Sequence, residues 1–182
     1  MAKLVSKVYS DALFEVSREK DLMDTLFEEA KGLYEVFDSN GELLELLNHP
    51  KLVREEKLEM LRSVFSGRIS DEWMGFLTAI VEKGRQKDLL NIISTFIGDV
   101  KEYKHIGVAS VESAVELRDE QKARLEKRLL ETTSYVEFEM KYSVKPELIG
   151  GLVIRIGDRV VDSSIRTQLY EMKRELMKLQ LA

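Results

Sequence analysis

Along residues 5–103 the apolar side chains return every three or four positions, the period of helices that each bury one face. The first stripe runs through Val5, Val8, Ala12 and Val16, widened by Tyr9 and Leu13. A second helix follows Asp21, with Leu22, Leu26, Ala30, Leu33 and Phe37 on one side. Met23, Phe27 and Tyr34 lie beside them, so this helix is expected near the bundle centre; it stops at Ser39-Asn40-Gly41. A short helix over residues 43–47 ends before Pro50, because proline pushes its predecessor out of the helical region. Leu58, Leu61, Val64 and Phe65 mark a fourth, closed by Ser66-Gly67.

Ser70 is the expected N-cap of a fifth helix, and Asp71 and Glu72 in its first turn complement the helix dipole. Its apolar face is Trp73, Phe76, Leu77, Ile80 and Val81, and Gly84 falls where a left-handed C-terminal residue belongs. Leu89, Ile93, Phe96, Val100 and Tyr103 make the sixth. After an expected linker, Lys104-His105-Ile106-Gly107, the period changes. Residues 108–115 are β-branched and strand-like, and residues 118–130 form a helix with Leu125 and Leu129 inward. Val136, Phe138, Met140, Tyr142 and Val144 then alternate with polar residues, as a half-buried strand does. Pro146 ends that strand. Ile165, Leu169, Met172, Leu176 and Leu179 form the seam of a last helix. The pattern predicts an all-α N-terminal six-helix bundle (1–105) followed by a small α+β C-terminal domain (106–182) with three or four strands.

Composition narrows the function more than the fold. The chain has 182 residues, 44% apolar and 34% charged, which suits solvated helical faces around a core. Cysteine is absent and histidine occurs only at His49 and His105, leaving no disulfide, thiol nucleophile or His-rich metal site. No run approaches the roughly 20 apolar residues that span a bilayer, and no signal peptide opens the chain. Membrane association is therefore expected only through partners. Residues 1–105 carry 15 basic and 20 acidic side chains, and the rest 13 of each. Neither half has the basic excess that a phosphate backbone demands, so nucleic acid is a poor partner.

Chemistry-bearing constellations are missing too. Gly-Lys never occurs, so there is no phosphate-binding P-loop. Gly150, Gly151 and Gly157 flank a strand instead of opening a helix, which excludes a dinucleotide fingerprint. The carboxylates lie opposite the apolar stripes, and Ser163 and Ser164 fit helix capping better than nucleophilic catalysis. No catalytic residue, cofactor or metal is expected.

The densest pattern is PELIGGLVIRIGDRVVDSSIRTQL, residues 146–169. Residues 152–156 read as a strand, Gly157-Asp158-Arg159 as a tight turn, Val160-Val161 as the antiparallel return, and Asp162-Ser163-Ser164 as an N-cap. The double glycine marks a bulge or a close approach of another backbone. Gly150, Gly151, Gly157, Asp158, Asp162 and Ser164, with the helix that follows, resemble the C-terminal signature of the delta subunit family of F-type ATP synthases. Its mitochondrial counterpart is the oligomycin-sensitivity-conferring protein. Tyr9-Ser10-Asp11-Ala12-Leu13-Phe14 is similar to that family's opening motif, and residues 76–85 (FLTAIVEKGR) to its helix ending in Gly-Arg. The family commonly has Ser where Arg118 stands, which leaves the N-cap to Asp119 or to none, and Gly where Ser163 stands.

The resemblance implies a non-catalytic stator subunit on the cytoplasmic face of the bacterial plasma membrane. It would link the catalytic head to the peripheral stalk, so that rotation is coupled to proton transport and ATP synthesis. It implies that a groove between the first and fifth helices receives the amphipathic N-terminal helix of an alpha subunit. Here that groove would use Val5, Tyr9, Ala12, Leu13 and Val16, facing Phe76, Ala79, Ile80 and Lys83, with Ala12 as a notch for close approach. The other use of the same stripe is bundle core, the expected place of Val8, Leu13 and Leu77 taken singly. It also implies that the C-terminal domain engages b-type stalk subunits. Met172, Leu176, Met177, Leu179 and Leu181 are the candidates, while Ile165 and Leu169 are expected to pack on the sheet. A reading from another class is a free-standing helical adaptor that recruits one amphipathic peptide.

Overall fold

Trp73 holds the N-terminal helices together. Its indole N–H donates to the Leu26 carbonyl at 3.0 Å, and its ring meets Phe76 and Phe96 edge-on at 5.5 and 5.7 Å. A buried indole that finds an acceptor adds its large apolar area at no polar cost. The computed structural model describes residues 2–179, with side chains described from Leu4 to Met177. The backbone separates into two units, residues 1–101 and 102–182.

The first unit contains α1 (Ala2–Glu19), α2 (Met23–Ser39), α3 (Gly41–Asn48), α4 (Arg54–Phe65), α5 (Asp71–Glu82) and α6 (Leu89–Tyr103), the last preceded by a single 3₁₀ turn. α2 is the central helix, with Leu26, Phe27, Ala30, Leu33 and Phe37 buried, as its wide stripe predicts. Ser70 caps α5: its hydroxyl accepts the Trp73 N–H, and both oxygens of Glu29 hold Ser70 in place. Gly84 takes the left-handed conformation after α5, and the Arg85 N–H closes the end on the Ile80 carbonyl at 2.9 Å.

α1 departs from its predicted orientation. The residues it buries are Ser6, Ser10, Leu13 and Ser17, at steps of four, three and four. This inward stripe lies one position beyond the apolar one, rotating the hydrophobic face away from the core. Asp99 on α6 sets the rotation, accepting from the Ser10 hydroxyl at 2.5 Å and the Lys7 ammonium at 2.7 Å. Small side chains let the helix sit close, and the buried hydroxyls need partners that such acceptors supply.

The second unit contains β1 (Ile106–Ser113), α7 (Asp119–Thr132), β2 (Glu137–Val144), β3 (Leu152–Ile156), β4 (Arg159–Asp162) and α8 (Ile165–Leu179). The sheet order is β2-β1-β3-β4. β1 and β2 are parallel, so α7 must cross between them, and the remaining pairs are antiparallel. α7 covers one face, packing Leu125, Leu129 and Leu130 over Ala109, Phe138 and Met140. β2 is only half covered: Phe138 is buried, whereas Tyr142 and Val144 are exposed.

The expected linker shrinks to Lys104-His105, because Ile106 and Gly107 already pair with Glu137 and Phe138 in the sheet. Arg118 takes the N-cap position of α7 without a side-chain cap; instead the Gln121 side chain accepts the Arg118 N–H.

Two glycines are required by geometry. Gly157 has φ +54° at the first position of a two-residue hairpin turn, and Ile156 pairs directly with Arg159. Gly151 has φ +77°, and a Cβ there would run into the Ser163 carbonyl. Of the two uses open to the double glycine, close approach of another backbone is the one found.

Replacing Gly157 by Ala is expected to cost roughly 1–2 kcal/mol, the penalty of the left-handed region alone. Gly151→Ala adds a backbone collision and is expected to cost more, read as the difference between the two denaturant midpoints. Equal losses would mean that the approach to Ser163 is slack. Asp162 accepts the Ser164 N–H at 2.8 Å and the Thr167 hydroxyl at 2.7 Å, and hydrogen bonds from Ser164, then Thr167, hold its carboxyl below the ordinary value. A depressed folded pKa stabilises fully above the unfolded value of about 3.9 and is lost as pH falls through the folded one. Protection of the Ser164 and Thr167 amides, taken as exchange relative to the unstructured rate at each pH, is thus expected to stay constant from neutral pH to about 4 and to fall below it. A loss of protection beginning near pH 6 would contradict the assignment.

Candidate docking surfaces

α1 meets α5 where Tyr9 lies edge-on to Phe76 at 6.3 Å. At one end Lys20 reaches from just beyond α1 to Glu72 of α5 at 3.0 Å, and that hydrogen bond holds the Glu72 carboxyl below its ordinary value. Val5, Tyr9, Val16 and Phe76 are half-buried, while Ala12, Ala79 and Lys83 are exposed. Those seven of the nine expected groove residues thus have surface to offer a partner. Leu13 and Ile80 do not: they are 3% and 0% exposed and belong to the bundle core, because both lie on the inward faces of their helices. Val8, expected in the core, is instead 61% exposed, and Leu4 is 73% exposed one turn earlier. Sequence reasoning missed these two as surface residues. The serines at positions 6, 10 and 17 were the available signal, since a small polar stripe at helix spacing competes with the apolar one for the inward face.

The second surface is α8. Its first turn is planted firmly. Ser164, fully buried, accepts the Thr167 N–H at 3.2 Å, the Ile165 N–H donates to the Gly150 carbonyl, and the Ser163 hydroxyl donates to the Leu152 carbonyl. Beyond that turn the helix is uncovered. Leu169, Met172, Leu176 and Met177 are each more than half exposed. Ile165 leans on Gly150 and is still 42% exposed. The expectation that Ile165 and Leu169 pack on the sheet therefore fails, because Ile165 rests on Gly150, ahead of β3, and Leu169 is left uncovered. Met172, Leu176 and Met177, the residues expected to meet the stalk, are exposed. The side chain of Leu179 and the whole of Leu181 lie outside the described residues.

Among the described residues no three histidine or acidic side chains gather to hold a metal ion. No described helix is long and apolar enough to cross a membrane. His49, expected at the surface, accepts the Lys51 N–H through Nδ1.

Residues 5–176 match the family model described as ATP synthase delta (OSCP) subunit. The chain is 48% identical over 181 residues to an ATP synthase subunit delta of Lachnoclostridium phytofermentans, covering all of both chains. It is 35% identical to one of Desulforamulus reducens, covering 95% of each. A chain in the cryo-EM structure of the Toxoplasma gondii mitochondrial ATP synthase hexamer shares the fold at a TM-score of 0.74 and 16% identity, over 94% of this chain and 97% of that one. The chain belongs to the ATP synthase delta (OSCP) subunit family, the non-catalytic stator subunits of the rotary ATP synthase.

Proposed function

We propose that this chain joins the stator through two docking surfaces, one on each unit. The expected α1–α5 groove takes the amphipathic N-terminal helix of the alpha subunit, and the exposed face of α8 takes the ends of the b-type peripheral-stalk subunits. The bacterial relatives, and the absence among the described residues of a helix able to cross a membrane, support a peripheral position at the cytoplasmic face of the plasma membrane.

One observation carries the reading: α1 turns apolar side chains to water while burying polar ones, and α8 leaves its apolar side chains as uncovered as its polar ones. α1 buries three serines and exposes Val8; α8 exposes Leu169, Met172 and Leu176. Contiguous apolar surface of that kind marks interaction sites. A helix laid in a groove is a common answer for the first, and a coiled-coil seam for the second.

The mechanical logic follows. Torque from the central stalk drags the catalytic head round unless the head is tied to the membrane-fixed stalk. A link of two units resists that drag only if both contacts hold together. Joining them in one chain raises the effective concentration of each for its site. The free-standing adaptor has no observation in its favour, since the likeness to delta subunits runs the length of both units.

Ala12→Asp places a charge in the notch of that groove at an exposed position. It is expected to weaken binding of an alpha N-terminal peptide at least about tenfold, equivalent to 1.4 kcal/mol, and to leave helical circular dichroism and b-type subunit binding unchanged. Leu176→Asp is expected to do the reverse. Loss of both activities by either substitution would contradict two separable surfaces.

A further inference from the structure

Sulfur in this chain belongs to methionine alone, since its seven methionines stand beside no cysteine. Reversible oxygen transfer from a peroxide can therefore fall only on thioethers. The described methionines divide by position. Met23, Met60 and Met74 are half-buried against the bundle core, and Met140 against the core of the second unit. The Ser17 hydroxyl also donates to the Met23 Sδ at 3.3 Å. Met172 and Met177, both on α8, are instead 60% and 54% exposed.

Their place on the helix matters as much as their exposure. Met172 follows Leu169 by three residues and precedes Leu176 by four, so the three side chains share one face. Met177 flanks that face beside Leu176. Leu169 and Leu176 are exposed too, which sets both sulfurs among aliphatic side chains in contact with water. An added oxygen there turns a flexible apolar side chain into a polar, chiral one. A face that docks by apolar contact is weakened by it, because the sulfoxide oxygen must give up its water to enter the contact.

We propose that Met172 and Met177 form an oxidation site that closes the α8 face to docking while the chain is unassembled. The oxidant is hydrogen peroxide. A lone pair of Sδ attacks one peroxide oxygen, so that an S–O bond forms and the O–O bond breaks. Sulfur gives up two electrons, and the departing hydroxide takes the proton of the transferred oxygen and leaves as water. A dithiol reductase reverses the step: the oxygen leaves as water and the dithiol becomes a disulfide. The inference rests on the reading of α8 as a docking face. A docked partner covers both sulfurs, so oxidation acts before assembly and is blocked after it.

The experiment treats the full chain with hydrogen peroxide until it is partly oxidised, then mixes it with a limiting amount of the soluble portion of the b-type subunits from the same synthase. Bound and free chain are separated, and sulfoxide at each methionine is read by peptide mass spectrometry. Sulfoxide at Met172 and Met177 is expected to form at least about fivefold faster than at Met23, Met60, Met74 and Met140. It is expected to be at least about tenfold scarcer in the bound chain than in the free, and methionine sulfoxide reductases are expected to restore binding. Equal rates at all six methionines overturn the site. So does equal sulfoxide in the two fractions while Leu176→Asp abolishes binding, which leaves the α8 assignment standing. Binding that survives Leu176→Asp overturns that assignment and the inference with it, as does full-rate oxidation of both methionines in the preformed complex.

Discussion

The rotation of α1 about its own axis decides what the first unit offers to the outside, and Asp99 fixes it. One carboxylate accepts from Ser10 and from Lys7, and its hydrogen bond holds the Lys7 ammonium above its ordinary pKa. With Ser6, Ser10 and Ser17 turned inward, Val5 and Val16 are left half-buried and Leu4, Val8 and Ala12 exposed. Successive helix residues are about 100° apart, so a rotation of one position swings the apolar stripe just over a quarter turn from the core. Burying the valines would satisfy the hydrophobic effect within the monomer and abolish the groove. The serine–aspartate contact holds the helix in the other arrangement, where its apolar area stays open to a partner.

The second unit reaches a similar end by another route. Its buried apolar residues are few: Ala109, Val111, Leu129, Phe138, Leu148 and Val153 among the described side chains, against eighteen in the first unit. Small cores of this size are marginal alone, and partner contact is one of the usual remedies. The double glycine brings the backbone at Ser163 hard against β3, and the Asp162–Ser164–Thr167 cap starts a helix there. α8 is therefore anchored at one end, with its seam free along the rest. Rigid planting of an uncovered helix suits a part that must carry load between two bodies.

Much of this was legible in the residues. The broad stripe of α2, the Ser70 cap, Gly84, the hairpin at Gly157 and the helix between β1 and β2 all follow from local chemistry that tertiary packing does not override. The rotation of α1 was not, because hydrophobic periodicity alone assigns the apolar face inward, and Asp99 lies 89 residues from its Ser10 partner. The exposure of Leu169 was missed for a related reason. A seam that continues in step with Ile165 gives no sign of where the sheet beneath it ends. Nor does sequence reveal that Ile149 takes a left-handed conformation, since nothing in an Ile-Gly-Gly run demands it of the isoleucine.

The central claim is that these apolar faces are incomplete without other chains, and amide hydrogen exchange reads it residue by residue. In the isolated chain, α8 beyond Thr167 is expected to exchange orders of magnitude faster than Leu26 in α2 or Trp73 in α5. On binding the b-type subunits it is expected to slow strongly, with the bundle core unchanged. If α8 in the isolated chain were already as protected as the helices around Trp73, its apolar face would have a partner within the monomer, and the account would be wrong.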